Sequence, residues 1–171
     1  AANTQIAGTL GDLAAAAGIA TVTFTSTGAN DSIAVDADGP SALTVNFDSD
    51  ATNANSIAMN ASYAGVLTVN ADGDELDTTA STITGGKGTS DVLNITADGT
   101  ATSDLSAVTN IETINLVGTT ASNTVTLDDA NATYTSATVY QTVTVDASGL
   151  TTGVATINAA AEVDGKVVLK G

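Results

Sequence analysis

The side chains able to do chemistry in this chain are almost all carboxylates, and they gather in short runs broken by alanine, glycine or serine. Asp36-Ala37-Asp38-Gly39 is one run and Asp48-Ser49-Asp50 a second; Asn70-Ala71-Asp72-Gly73-Asp74-Glu75-Leu76-Asp77 is the longest. Alternating carboxylates on a turn offer several hard oxygens with backbone carbonyls between them. That is the donor set Ca²⁺ takes, six to eight oxygens at about 2.3–2.6 Å. No run completes an EF-hand loop, which needs a glutamate at its twelfth position. The expected ligands of a structural calcium are therefore Asp36, Asp38, Asp48, Asp50, Asp72, Asp74 and Asp77. The same residue types also build turns and hold water without any ion. Crowding speaks for the ion: 19 acidic residues against 3 lysines leave a net charge of −16, and such a surface collects counter-ions.

The missing residue types exclude more. There is no His, Cys, Arg or Trp. Zinc, haem and iron–sulfur sites of ordinary ligation lack their donors, a Ser-His or Cys-His nucleophile cannot be built, and there is no disulfide framework. Three scattered lysines make no basic surface, so nucleic acid is not expected as a partner. Asp72, Asp74 and Asp77 could pair as acid and base, but nothing near them in sequence would exclude water or separate two carboxylate pKa values. The chain is read as no enzyme. The longest run of small apolar residues, Leu13 to Ala20, is too short to span a bilayer and suits at most a short helix, so no membrane insertion is expected. The start at Ala1-Ala2-Asn3, without Met or a basic leader, reads as a mature or excised segment.

The elements that must carry these turns are short strands. Hydrophobic residues make up 43% of the chain and aromatics 3%, with Ala and Thr at 31 copies each. Small and β-branched side chains suit a thin, repetitive interior. Residues 32–55 laid over 56–79 give ten identities without a gap, where composition alone would give about three. Each 24-residue unit holds two apolar ladders: Ile33 and Val35, then Leu43, Val45 and Phe47; Ile57 and Met59, then Leu67, Val69 and Ala71. Looser copies follow at Ile83, Leu93 and Ile95, at Ile114 and Leu116, at Val125 and Leu127, at Val143 and Val145, and at Val167 and Leu169. Apolar residues alternate with Thr, Asn or Asp, the period-2 mark of a strand with one buried face. The spacing predicts an all-β solenoid with two short strands per 21–26-residue coil, forming one elongated domain over residues 1–171 or a fragment of a larger repetitive protein. A β-sandwich is the alternative. Thr-x-Thr pairs at Thr21/Thr23/Thr25, Thr124/Thr126 and Thr142/Thr144 do not recur at one coil position and read as ordinary outward strand threonines.

One stretch is more specific. Gly85-Gly86-Lys87-Gly88-Thr89-Ser90-Asp91-Val92-Leu93 resembles the calcium-binding nonapeptide G-G-x-G-x-D-x-U-x of RTX proteins, with one extra residue before the Asp. Followed by Val108-Thr109-Asn110-Ile111-Glu112-Thr113-Ile114-Asn115-Leu116, it looks like the surface-layer proteins that bacteria export by type I secretion. The resemblance is closest over residues 85–117. It implies β-solenoid or β-sandwich surface domains assembled through calcium, with Gly86, Gly88 and Asp91 at the motif positions and Asp91 as a further ligand.

Together these readings point to a structural module of a secreted bacterial surface-layer or extracellular matrix or fibre protein, RTX-like, self-assembling and calcium-stabilised. Its expected partners are copies of itself and a surface polysaccharide, and its expected location is the extracellular face of a bacterium. The competing class is a repeat module of a large adhesin binding glycan or another surface. Its aromatic platform would have to come from Tyr63, Tyr134, Tyr140, Phe24 or Phe47, which read more readily as packing.

Overall fold

A strand with one apolar face is stable only when that face is covered, and a repeated sequence can cover it by stacking like on like. The computed structural model describes residues 2–6, 9–13, 18–25, 30–47, 54–76, 81–96, 102–118, 123–132, 134–136 and 139–171. Its strands in chain order are β1 (Ala2–Ile6), β2 (Thr9–Leu13), β3 (Ile19–Phe24), β4 (Ser32–Val35), β5 (Ala42–Asn46), β6 (Ser56–Met59), β7 (Val66–Asp72), β8 (Thr82–Thr84) and β9 (Val92–Thr96). They continue as β10 (Thr102–Asp104), β11 (Val108–Thr109), β12 (Thr113–Gly118), β13 (Asn123–Thr126), β14 (Tyr134–Ser136), β15 (Val139–Tyr140), β16 (Thr142–Leu150), β17 (Ala155–Asn158) and β18 (Lys166–Lys170).

The chain is an all-β solenoid. One layer is an eight-stranded sheet in the order β1-β3-β5-β7-β9-β12-β16-β18, and every pairing in it is parallel. The opposite layer is a five-stranded sheet, β11-β8-β6-β4-β2, followed by a three-stranded one, β10-β13-β17. A sandwich would pair these strands antiparallel; among the described residues only the β14–β15 hairpin does so. Ile33 sits beside Ile57 and Leu43 beside Leu67, as the 24-residue register requires.

The core runs as columns along the solenoid. Val22, Val45, Val69, Leu93, Ile114 and Val145 form one; Ile33, Ile57, Ile83 and Val108 form another in the facing layer, all essentially without solvent contact. Phe24 and Phe47 stack with ring centroids 5.3 Å apart at the coil edge.

Two details depart from the expected coil. From Ile114 to its neighbour Val145 the coil takes 31 residues, beyond the expected 21–26, because the β14–β15 hairpin is inserted there. Between β9 and β12 the second layer holds two short strands, β10 and β11, and there the five-stranded sheet gives way to the three-stranded one. The stretch Leu13–Ala20 forms no helix among its described residues: Leu13 ends β2, while Ile19 and Ala20 begin β3. The alanine run at 14–17 lies outside the described residues.

The outer face of the long sheet is also columnar. Asn115 donates to Asn94 Oδ1 (2.9 Å), Asn94 to Asn70 Oδ1 (2.8 Å), Asn70 to Asn46 Oδ1 (2.7 Å) and Asn46 to Thr23 Oγ1 (3.3 Å). The column continues in register to Asp146 and Lys170, which pair at 3.8 Å. Beside it Thr21, Thr44, Thr68, Thr113 and Thr144 share a second column, interrupted by Val92. Threonines at one fixed coil position thus do exist, but each is followed two residues later by asparagine in most coils rather than by a second threonine.

Candidate functional site

The glycine-rich stretch from Gly85 and the Asn-Ile-Glu-Thr segment from Asn110, 25 residues apart in sequence, meet at one corner of the solenoid because β9 and β12 are neighbours. Asp91 precedes β9 at the register place that Leu43 and Leu67 fill in earlier coils. It is fully buried. The Leu67 N–H donates to its Oδ1 at 2.8 Å and the Gly86 N–H to its Oδ2 at 3.0 Å. Its own N–H donates to Glu112 Oε2 at 2.9 Å in the next coil. One aspartate therefore ties three successive coils together, its side chain accepting hydrogen bonds that a strand carbonyl would otherwise take.

The glycines serve close approach. The Gly85 N–H donates to the Thr109 carbonyl at 2.9 Å, and Lys87 donates to the Tyr63 carbonyl at 2.6 Å. A Cβ on Gly86 would stand 2.5 Å from that Tyr63 oxygen. Tyr63 is buried, and its hydroxyl donates to the Pro40 carbonyl at 2.6 Å. Burial, together with the Asp91 charge, holds the Tyr63 pKa above the ordinary phenol value.

Burial also raises Asp91 and Glu112 above the usual carboxylate range, against the lowering effect of the backbone N–H groups they accept. An acid whose pKa is higher folded than unfolded costs stability when ionised, and that cost is relieved as pH falls through the folded pKa toward the unfolded one. Asp146 runs the other way, held low by Ser148 and then Lys170, but it is exposed and screened. The chain is thus expected to melt at higher temperature near pH 5 than at pH 7.5, helped by the partial loss of its −16 charge. Melting followed by circular dichroism checks this; a lower melting temperature at pH 5 contradicts it.

A second acidic corner lies where β13 and β17 stack. Oxygens of Asp129, Glu162 and Asp164 fall within 4.8 Å of one another, the only such group of three among the described residues. Glu162 Oε1 accepts the N–H groups of Asp164 (3.2 Å) and Gly165 (2.6 Å), while Oε2 is buried and accepts no hydrogen bond. Asp129 Oδ1 accepts the Val163 N–H at 3.2 Å. These are the residues that could hold a cation together.

Among the described residues, the carboxylates expected from sequence form no group of three. Asp36 and Asp38 occupy the turn after β4, with Asp38 exposed; Asp72 ends β7, and its Oδ1 accepts the Asp74 N–H at 3.2 Å. Asn60 follows Met59, the neighbour of Val35, and so takes the place of Asp36 in the next coil; Thr96 faces Asp72. Neutral neighbours spare the stack a column of like charges about 4.8 Å apart. Asp48, Asp50 and Asp77 lie outside the described residues.

Asp129, Glu162 and Asp164 were all missed because a 24-residue register does not bring their two turns together. The observed register sets Val125 beside Ile157, 32 residues on. The signal was the paired turn sequences Asp128-Asp129-Ala130-Asn131 and Glu162-Val163-Asp164-Gly165, legible only once the coil length is known. Compared with family models, curated proteins and solved structures, the chain matches none of them.

Proposed function

We propose that this chain is a structural module of a secreted bacterial surface-layer or extracellular fibre protein, self-assembling and stabilised by calcium. The observation that carries the reading is the uninterrupted eight-stranded parallel sheet with its outer amide ladder. Its polar residues are spent on joining one coil to the next, which suits a load-bearing rod. Net charge −16 adds the need for counter-ions, and the buried Glu162 Oε2 beside Asp129 and Asp164 is where a cation would be best compensated.

Calcium is tested by thermal melting in EDTA and then in 10 mM CaCl₂ at matched ionic strength. An extracellular-type site with Kd of about 1 mM stabilises by about 1.4 kcal/mol there, or about 3–6 °C for a chain of this size. Glu162→Gln is expected to remove most of that gain. Equal melting in both buffers rules out the calcium part. Assembly is tested by electron microscopy of the purified chain, with ordered sheets or fibres expected and dispersed monomers counting against it.

A further inference from the structure

We propose that the outer face of the eight-stranded sheet is the contact through which two copies of this chain pack, face to face, across their Thr and Asn columns. The inference rests on the self-assembling reading above and names the surface that would do it.

Charge singles out this face. Among its described side chains, Asp72 and Asp146 are balanced by Lys166 and Lys170, so the whole net charge of −16 lies elsewhere. Between β3 and β12 the face carries no charge but Asp72, at the end of its strand. Two strongly acidic molecules can approach with least repulsion through this neutral face.

Size is sufficient. Eight strands about 4.8 Å apart and five residues of about 3.3 Å each make a face on the order of 600 Å². Two such faces bury about 1,200 Å², the lower bound for a specific contact, and one expected to be weak singly and to gain by repetition in an assembly.

Chemistry suits a second copy. An asparagine amide has two N–H donors and two acceptor lone pairs, and the ladder uses one of each at Asn70 and Asn94. The remaining donor and acceptor recur at each rung, so an opposing identical ladder offers matched partners. The lysines set the direction. With solenoid axes parallel, Lys166 and Lys170 of β18 would lie over their own copies. With axes antiparallel, β18 lies over β1, whose sequence Ala2–Ile6 holds no charged residue, and β16 lies over β3, with Thr21 and Thr23. Like charges placed opposite one another are unfavourable, so the antiparallel pair is favoured.

The test uses the full chain in sedimentation velocity and electron microscopy. Wild type is expected to pair with rising concentration. Thr68→Lys and Thr113→Lys each put a charge in the face without touching the amide ladder, and should weaken pairing at least tenfold while circular dichroism stays unchanged. Thr156→Lys, the same change on the outer side of β17, should pair like wild type. If wild type assembles and both face variants assemble equally well, the contact lies elsewhere and self-assembly stands. If wild type stays monomeric throughout, both readings fall. A wild-type monomer that binds a neutral polysaccharide through Thr68 overturns the second copy as occupant.

Discussion

Replacing Gly85 by alanine is expected to lower the stability of this chain by about 3 kcal/mol or more, enough to drop its melting temperature by about 6–12 °C. A Cβ built there falls inside the van der Waals envelope of the Asn110 carbonyl oxygen and stands 2.8 Å from Asp91 Oδ2. Neither neighbour can move cheaply. Asn110 is held in a left-handed conformation (φ 55°), an uncommon one for a residue with a side chain, and the Gly85 N–H bonds the Thr109 carbonyl beside it. Asp91 is fixed by two backbone donors. Gly88→Ala is the comparison: its Cβ would meet the Gly65 carbonyl at 3.0 Å and Asp91 Oδ1 at 3.5 Å, a contact that a few tenths of an ångström relieve. Urea denaturation of both variants decides. Equal losses would mean that the corner yields more readily than its geometry indicates.

Asp91→Asn should cost about 2–4 kcal/mol, although it removes a buried charge. An amide has one oxygen where the carboxylate has two, so either Leu67 or Gly86 would face an N–H instead of an acceptor. Asp91→Leu sharpens the point. Leucine is what the same register place holds at Leu43 and Leu67, and if apolar burial governed the position the change would be stabilising. Both donors would then be buried without an acceptor, each at about 1–3 kcal/mol, and the leucine variant should be the less stable of the two. A leucine variant as stable as wild type would show that the carboxylate is not the brace between coils. The asparagine variant should also flatten the gain in stability toward pH 5, since one of the two groups responsible no longer titrates.

Much of the scaffold was legible before any coordinates. Ile33 over Ile57 and Leu43 over Leu67 follow from a 24-residue repeat because identical coils stack with identical side chains in contact. The Asn46–Asn70 pair, conspicuous as the repeated Leu-Thr-Val-Asn, belongs to the same register, and its extension to Asn94 and Asn115 needs only the looser copies. Less of the acidic chemistry could be read. A run such as Asp36-Ala37-Asp38 looks the same whether its coil neighbour is another carboxylate or Asn60, and only stacking tells which.

Period-2 alternation and the repeat length determined strands, their buried faces and the order of rungs, since both depend on side chains a fixed distance apart along one chain. The 31-residue coil around the β14–β15 hairpin and the meeting of Asp129 with Glu162 and Asp164 were decided by tertiary structure alone. So was the fate of Asp91, buried between Leu67, Gly86 and Glu112. These depend on which backbone groups from distant coils converge on one place, and a residue's own neighbours in sequence carry no record of that.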